Sequence, residues 1–251
     1  MLAPKMLQSW RMGAIEGSMA NLTGSERARY VQGMFSHIAH RYDLMNRLMT
    51  VGQDVRWRKE VIRRAALQPG AGLLDLGAGT GDLAQEALHQ QPACHPIAAD
   101  FTLEMMRAGQ GRSGAARVIW SAADALHLPF PAETFDAVVS GFLLRNVSDI
   151  RQSLSEQYRV LKPGGRIVAL DTTRPPRSLL SPPINFHLHT VIPILGQMIS
   201  GNRDAYSYLP DSTEAFLSAE QLAERLQAAG FRQVGFQRRM LATVAIHWGV
   251  K

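Results

Sequence analysis

The chain has 251 residues, of which 46% are hydrophobic and 19% are charged, as is typical of a folded globular protein. The single cysteine, Cys94, excludes an intramolecular disulfide and most cysteine-based metal sites, and we expect no bound metal. The formal net charge of +6 allows attraction to nucleic acid or to an anionic membrane surface. Because the first twenty residues lack the continuous apolar run of a signal peptide, we expect a cytoplasmic protein.

The N-terminal quarter of the chain divides into two parts. Residues 1–25 show no periodicity and are predicted to be a disordered tail, whereas residues 26–251 are predicted to form a single domain. Within residues 26–68, apolar side chains recur at steps of three and four residues, which predicts a helix. They are Met34, Phe35, Ile38, Tyr42, Met45 and Leu48. This helical region either packs on the domain as a core-facing helix or forms a lid over a ligand, with Tyr42 reaching in.

The stretch at residues 72–82 reads G-L-L-D-L-G-A-G-T-G-D. It predicts a short buried strand, a turn built on Gly77, Gly79 and Gly81, and a helix from Asp82 onward, which is the nucleotide-binding corner of a doubly wound α/β sheet. The third glycine comes one residue too early for the dinucleotide fingerprint, and the carboxylate of Asp75 would repel a pyrophosphate. A cationic ligand without phosphate, such as S-adenosylmethionine, suits an acidic residue at this position.

Two further acidic residues follow predicted strands in the first half of the chain. Asp100 closes a strand near residues 96–99, where an acidic side chain would accept hydrogen bonds from ribose hydroxyls; alternatively, it caps the helix that begins at Thr102. Asp124, together with Ala125, follows a strand at residues 118–120 and could bind an adenine amino group. Asp124 could instead be an ordinary turn residue.

The second half of the chain completes the predicted sheet. We expect strands at residues 137–140 and 166–171, a helix at 149–161 between them, a helix at 218–229, and an antiparallel strand pair at 231–237 and 242–248. Residues 178–202 contain no Asp, Glu, Lys or Arg, but their prolines and polar residues argue against a membrane span. We therefore interpret residues 178–210 as an apolar insertion on the substrate side.

With these elements the chain resembles the class I methyltransferases, which have a mostly parallel, seven-stranded sheet with helices on both faces and an antiparallel C-terminal edge. Six motifs together make it similar to the ubiquinone/menaquinone biosynthesis C-methyltransferase family. These motifs are Arg41-Tyr-Asp-Leu-Met-Asn46, Gly52-Gln-Asp-Val-Arg-Trp-Arg58, Leu74-Asp-Leu-Gly-Ala-Gly-Thr-Gly-Asp82, Leu144-Arg-Asn-Val147, Arg159-Val-Leu-Lys-Pro-Gly-Gly165 and Tyr206-Ser-Tyr-Leu-Pro210.

The resemblance implies S-adenosylmethionine-dependent methylation of a ring carbon of a polyprenyl hydroquinone, which converts demethylmenaquinol to menaquinol or acts on a ubiquinol precursor. It implies cofactor contacts from Thr80 in the glycine turn, from Asp100, and from Asp124 with Ala125. Gly141 stands where the family usually has a serine before its Phe-Gly-Leu-Arg-Asn run, and we include it among the cofactor-binding residues.

The expected catalytic residues follow the fourth strand. Arg145 stays protonated and would stabilise an oxyanion on the ring electrostatically, while Asn146 would donate a hydrogen bond to a ring oxygen. Arg145 could instead form a salt bridge that fixes its loop to the next helix. The general base stays open, because an ordered water or any of several side chains could serve. Those side chains are Asp171, His187, His189, Asp204 and Tyr206.

Three other functions stay open at this point. The family's Phe-Gly-Leu reads Phe142-Leu-Leu144 here, and the segment after the fifth strand reads Asp171-Thr-Thr-Arg-Pro175, which favours a different lipid or a secondary metabolite as acceptor. A nucleic-acid methyltransferase is disfavoured, because the sequence has neither an Asn/Asp-Pro-Pro-aromatic motif nor a Pro-Cys nucleophile. A non-enzymatic cofactor-binding protein is disfavoured by the intact glycine turn. We expect a lipid quinol substrate, peripheral contact with the inner face of the membrane, a homodimer, and no nucleic-acid partner.

Overall fold

Helices and strands alternate along most of the chain. The computed structural model describes residues 32, 33, 36, 42–174, 190, 212, 213 and 215–251. The predicted tail at residues 1–25 and nearly all of the insertion at 178–210 lie outside them. The strands are β1 (Gly72–Leu76), β2 (His95–Asp100), β3 (Ile119–Ala122), β4 (Phe135–Gly141), β5 (Leu161–Thr172), β6 (Arg232–Arg239) and β7 (Val244–Val250). The helices are α1 (Tyr42–Met49), α2 (Gln53–Ala65), α3 (Asp82–Gln90), α4 (Leu103–Gln110), α5 (Ile150–Val160) and α6 (Ala219–Ala228).

The seven strands form one sheet in the order β3-β2-β1-β4-β5-β7-β6. The first five are parallel, β7 pairs antiparallel with β5, and β6 pairs antiparallel with β7 at the edge. The strand order reverses between β1 and β4, and ligands of open α/β sheets bind at the carboxyl ends of the strands at such a switch point. The predicted fold class is therefore confirmed, and the topology places the site beside the ends of β1 and β4.

Apolar side chains cover both faces of the sheet because successive residues of a strand point to opposite sides. On one face, Val138 of β4 belongs to the cluster that contains Leu154 of α5 and Leu222 of α6. On the other face, Val139 belongs to the cluster that contains Val61 of α2. Strands buried on both faces read as continuous hydrophobic runs, which is why they could be recognised in the sequence.

The structure corrects the prediction for residues 161–165, which we expected to form a helix stop and a turn before the fifth strand. Strand β5 instead begins at Leu161, which pairs with Phe135 of β4. The register then shifts between Phe135 and Ala137, and Gly164 has a φ of +78°. The proline and glycines therefore form an irregularity within the strand.

The predicted core-facing stripe of the N-terminal region is wrong at Leu48. Met45 of α1 is buried with 1% exposure, whereas Leu48 is 41% exposed. Helix α1 ends at Met49, and Gly52, with a φ of +71°, precedes α2, so the stripe does not continue as one long helix. Of the other predicted stripe residues, Met34, Phe35 and Ile38 and the side chain of Tyr42 lie outside the part of the chain that the structure describes. Among the described residues, no helix is long and apolar enough to span a bilayer.

Candidate active site

The glycine turn joins the end of β1 to the start of α3. Gly77, Gly79 and Gly81 have φ values of +67°, +56° and +78°, which side chains with a Cβ adopt only with strain. A Cβ on Gly81 would also lie 2.6 Å from the ring of Trp120 on β3. The turn therefore packs closely against a side chain of β3, two strands away from β1, and presents bare backbone at the carboxyl edge of the sheet.

Asp75 lies beneath this turn with 1% exposure. Its Oδ2 accepts a hydrogen bond of 3.0 Å from the backbone N–H of Ala84, which is the third residue of α3 and one of the donors that a helix start leaves unsatisfied. Its Oδ1 is buried and has no hydrogen-bond partner among the described residues. The pKa of Asp75 is raised to about 7, mainly by burial and to a smaller extent by the nearby carboxylates of Asp82 and Asp100, while the hydrogen bond from the Ala84 N–H opposes the rise.

Asp100 joins the glycine turn to the start of α4. Its Oδ2 accepts from the N–H of Gly79 at 2.7 Å, and its Oδ1 accepts from the N–H of Thr102 at 2.7 Å. Burial raises the pKa of Asp100, and these backbone donors oppose that rise. The bond to Thr102 ties Asp100 to the residue that precedes α4, close to the capping role that was the alternative prediction. The bond to Gly79 ties Asp100 to the glycine turn, and a contact of Asp100 with ribose stays a prediction.

A small cavity of about 40 Å³ lies between the glycine turn and the end of β4. Its lining includes five of the predicted cofactor-binding residues, namely Asp75, Gly77, Gly79, Thr80 and Gly141. Gly81 lies within the same turn, and Asp100 is bonded to it. The cavity thus brings most of the predicted set together.

Asp124 and Ala125 lie outside the lining of this cavity. The N–H of Ala123 donates to the carbonyl oxygen of Asp100 at 3.0 Å, so the segment that follows β3 is held beside the end of β2. Asp124 is exposed, and its Oδ1 accepts from the N–H of Leu126 at 2.9 Å, as the turn alternative predicts. Ala125 is buried among apolar side chains. An adenine contact by these two residues stays a prediction.

Sequence analysis missed an ionic network that ties the N-terminal helices to the glycine turn. The hydroxyl of Thr80 donates to Asp43 of α1 at 2.9 Å. Arg112 bridges the carboxylates of Asp43 and Asp82, at 3.1 and 2.6 Å. Arg58 of α2 in turn contacts Asp82. Asp43 and Arg58 belong to the two N-terminal motifs that supported the family resemblance, so the signal was present but carried no assigned role.

The predicted catalytic Arg145 follows β4 and is 7% exposed. Its guanidinium Nη1 donates to Oδ1 of Asp171 on β5 at 2.9 Å, and its backbone N–H donates to Oδ2 of the same carboxylate at 3.2 Å. A salt bridge of Arg145 was the alternative prediction, but its partner lies on the neighbouring strand and not on the following helix. Asn146 donates from its side-chain amide to the carbonyl oxygen of Phe142 at 3.0 Å.

Asp171 is 1% exposed and fully engaged. Burial raises its pKa, and the Arg145 guanidinium together with the backbone N–H groups of Thr172 and Arg145 opposes that rise. A carboxylate enclosed in this way is poorly placed to accept a proton from a substrate, so Asp171 positions Arg145. The other four candidates for the base, His187, His189, Asp204 and Tyr206, lie outside the described residues.

A larger cavity of about 420 Å³ opens on the other side of the loop between β4 and α5. Arg145 is on its wall, together with Val147, Phe216 and Leu217 and with the arginines Arg151 and Arg225. Phe142, which lines the small cavity, stacks under the guanidinium of Arg145 at 5.0 Å from its ring centre. A single loop thus borders both cavities.

The residues that line the small cavity suit S-adenosylmethionine in charge and in the bare backbone that they present. The buried Oδ1 of Asp75 lacks a partner among the described residues, and an ammonium group would supply one. A nearby cation would also lower the pKa of Asp75 and favour its charged form. The bare glycine backbone permits close approach, while the carboxylates around it disfavour a phosphate.

Known proteins are similar to this chain over most of its length. A protein of Desulfotalea psychrophila described as ubiquinone/menaquinone biosynthesis C-methyltransferase UbiE is 47% identical over 88% of this chain and 90% of its own length. A demethylmenaquinone methyltransferase of Thermus thermophilus is 42% identical over 86% of this chain and 99% of its own. A crystal structure of a SAM-dependent methyltransferase from Thermotoga maritima superimposes with a TM-score of 0.62, covering 87% of this chain and 98% of that one at 18% identity.

The sequence profile of the ubiE/COQ5 methyltransferase family matches residues 22–251, which include every described element from α1 to β7. The identity to the two curated relatives extends over the same region and is far above the level that reflects a shared fold alone. The chain therefore belongs to the ubiE/COQ5 methyltransferase family.

Proposed function

We propose that this protein is an S-adenosylmethionine-dependent C-methyltransferase that methylates the ring of a polyprenyl hydroquinone and converts demethylmenaquinol to menaquinol. The observation that carries the proposal is the loop between β4 and α5. Phe142, its first residue, lines the small cavity beside the glycine turn together with Gly141 at the end of β4, while Arg145 of the same loop lines the large cavity. A methyl donor and an aromatic acceptor could therefore bind on the two sides of one loop.

S-adenosylmethionine supplies an electrophilic methyl group on a sulfonium. The glycine turn with Asp75 and Thr80 would hold its amino-acid part, Asp100 its ribose, and Asp124 with Ala125 its adenine. Binding holds the donor and the acceptor in line, so that the reaction no longer depends on a bimolecular encounter. Such positioning lowers the activation barrier by roughly 7–11 kcal/mol in favourable cases.

Arg145 would raise the reactivity of the acceptor. When a hydroquinone O–H loses its proton, the negative charge is shared between the oxygen and ring carbons, and an adjacent guanidinium stabilises it. The ring carbon would then form the new bond to the methyl group as the methyl–sulfur bond of the donor breaks, with that electron pair staying on the sulfur. Loss of the proton from the methylated carbon to water would restore the aromatic ring. Asp171 holds Arg145 in place by accepting one hydrogen bond from its guanidinium and one from its backbone N–H. The apolar wall formed by Val147, Phe216 and Leu217 suits a naphthoquinol ring.

Two of the departures from the family pattern, at Leu143 and Leu144, favour no other acceptor. Leu143 stands where the family usually has glycine, and its Cδ1 lies 2.8 Å from the position of a Cβ on Gly77, so it packs behind the glycine turn. Leu144 is 0% exposed and belongs to the core. Both side chains thus contribute to packing, which supports a hydroquinone as acceptor over another lipid or a secondary metabolite.

The polyprenyl tail of such a substrate lies in a membrane. We propose that the protein works as a cytoplasmic enzyme in peripheral contact with the inner face of the membrane. We further propose that residues 26–68 act as a lid over the cofactor. Gln32 and Ser36 support the lid, because the Gln32 amide donates to the carbonyl oxygen of Phe101 at 3.3 Å and the Ser36 hydroxyl donates to Glu104 at 2.9 Å. A homodimer stays a prediction.

The experiment is a transfer assay with methyl-labelled S-adenosylmethionine and three reduced acceptors: a demethylmenaquinol, a demethylated benzoquinol, and a phenolic metabolite without a prenyl tail. We expect label in the menaquinol product, with weaker transfer to the benzoquinol. Label in the phenol alone, or cofactor binding without transfer to either quinol, would contradict the proposed acceptor while leaving the cofactor site intact.

A further inference from the structure

The outward face of helix α1 is unusually apolar. Leu44, Leu48 and Val51 are 54%, 41% and 76% exposed. Leu44, the exposed Arg47 and Leu48 stand at positions i, i+3 and i+4, a spacing that places their side chains on one side of the helix. Val51 lies in the turn that follows the helix, where its φ is +53°. A helix on the surface of a globular protein ordinarily presents charged and polar side chains there.

This face cannot turn inward, because the opposite face of α1 is already fixed. Met45 and Asn46 are 1% and 7% exposed, and Asp43 is bound to Thr80 and Arg112. At the end of the helix, the hydroxyl of Thr50 donates to Asp54 of α2 at 3.0 Å. Leu44, Leu48 and Val51 therefore stay exposed on the surface of the folded protein.

The charges of α1 and α2 are segregated around this surface. The three acidic residues of the two helices, Asp43, Asp54 and Glu60, are engaged by neighbouring arginines: Asp43 by Arg112, Asp54 by Arg58, and Glu60 by Arg63 and Arg64. The exposed charged residues of the two helices are all basic: Arg47, Arg56, Lys59 and Arg63, of which Arg63 contacts Glu60. The outer surface of the two helices is therefore apolar and basic, without an exposed carboxylate.

We propose that this surface, formed by Leu44, Arg47, Leu48 and Val51 of the α1 region with the basic side of α2, binds an anionic lipid bilayer. Apolar side chains with flanking lysine and arginine are the combination by which interfacial helices bind membranes, and basic residues are attracted to the negative potential of anionic lipids. The inference rests on the proposed function, because a polyprenyl quinol must be collected from a bilayer. It goes further by naming the residues that make the contact.

A second copy of the chain fits this surface less well. In a two-fold symmetric dimer the same patch occurs on both partners, so Arg47, Arg56 and Lys59 would lie against their own copies. A bilayer carries the complementary charge instead. The position of α1 is also suited to substrate collection, because its inner side contacts the glycine turn through Asp43 and Thr80.

The test is vesicle flotation with the full-length protein, using vesicles of phosphatidylcholine with or without phosphatidylglycerol and no quinol. The variant is the double substitution Leu48→Asp with Val51→Asp. The matched control is Ile119→Asp, which changes a side chain of 60% exposure at the start of β3, at the amino end of the sheet and so away from the glycine turn that α1 contacts. We expect wild type and control to float with the anionic vesicles, and the double variant to lose at least tenfold in bound fraction. Wild-type binding should also weaken as salt is raised.

A second readout separates this surface from the proposed function. With a short-tailed, water-dispersed demethylmenaquinol and no vesicles, wild type and the Ile119→Asp control should turn over at the same rate, whereas both proteins would be inactive if the proposed function were wrong. Equal flotation of the double variant and wild type would overturn the inference. A change from dimer to monomer in light scattering, with vesicle binding unaltered, would also overturn it and make a second copy of the chain the occupant.

Discussion

The buried carboxyl of Asp75 makes the stability of the cofactor-free protein depend on pH in an unusual direction. Its pKa is about 7 in the folded protein, above the ordinary value of 3.8 that the unfolded chain retains. The folded state therefore binds one more proton than the unfolded state between these two values. The contribution of Asp75 to the free energy of unfolding is therefore fully present below pH 3.8 and is lost as the pH rises from there through about 7.

We predict that Asp75→Asn removes this dependence. The amide oxygen can still accept from the Ala84 N–H, but the side chain no longer ionises. One pKa unit corresponds to about 1.4 kcal/mol, so between pH 5 and pH 8 the wild-type free energy of unfolding should fall by about 2–3 kcal/mol relative to the variant. The comparison is made by urea denaturation of both proteins without cofactor at several pH values, so that all other titrating groups cancel in the difference.

The same substitution should weaken binding of S-adenosylmethionine, because a hydrogen bond to a charged group contributes about 1.5–3 kcal/mol. We therefore expect a loss of about ten- to a hundredfold in affinity by calorimetry at pH 8, in a protein that is more stable there than wild type. A stability difference that does not change with pH would refute the reasoning about Asp75. Unchanged cofactor affinity would refute its role at the site.

Three further predictions follow from the same geometry. Gly81→Ala should abolish cofactor binding and lower the melting temperature more than Gly164→Ala, because both glycines have a φ of +78° but only Gly81 faces a ring, that of Trp120, at 2.6 Å. Asp171→Asn removes the carboxylate charge that faces the buried Arg145, so the free energy of unfolding should fall by up to about 3–5 kcal/mol in a denaturation experiment. The same variant should have a lower kcat in the transfer assay and an unchanged cofactor affinity by calorimetry. Burial lowers the pKa of His247 from 6.5 to about 4, so the unfolded chain takes up its proton first. Stability should then fall as the pH drops from 6.5 towards 4, and His247→Gln should remove that slope in urea denaturation.

The order of strands and helices could be predicted because both depend on local patterns. The run Leu73 to Leu76 is apolar around one aspartate, and the glycines after it mark the turn. Asp149 and Ser218 accept hydrogen bonds from the third residues of α5 and α6, as side chains at helix starts commonly do. By contrast, the exposed side of Leu48 depends on where α1 ends and how α2 is held, which periodicity alone does not specify.

The partners of the site residues could not be predicted, because they come from distant parts of the chain. Asp171 lies 26 residues after Arg145, and only the pairing of β4 with β5 brings them together. Arg112 likewise reaches Asp43 across 69 residues. A sequence pattern shows which residue types are present. It does not show which backbone N–H groups will bind a carboxylate such as Asp100, because those donors reach it only when the loops are packed.

The central claim is that Arg145, held by Asp171, activates a hydroquinone for methylation beside the glycine turn. The most direct test is single-turnover transfer of labelled methyl to demethylmenaquinol by wild type, Arg145→Lys and Arg145→Ala, with cofactor affinity measured on the same proteins. We predict equal cofactor affinity in all three, a rate at least a hundredfold lower in Arg145→Ala, and an intermediate rate in Arg145→Lys, which keeps the charge but not the planar guanidinium. Wild-type transfer to the quinol that persists unchanged in Arg145→Ala would contradict the account.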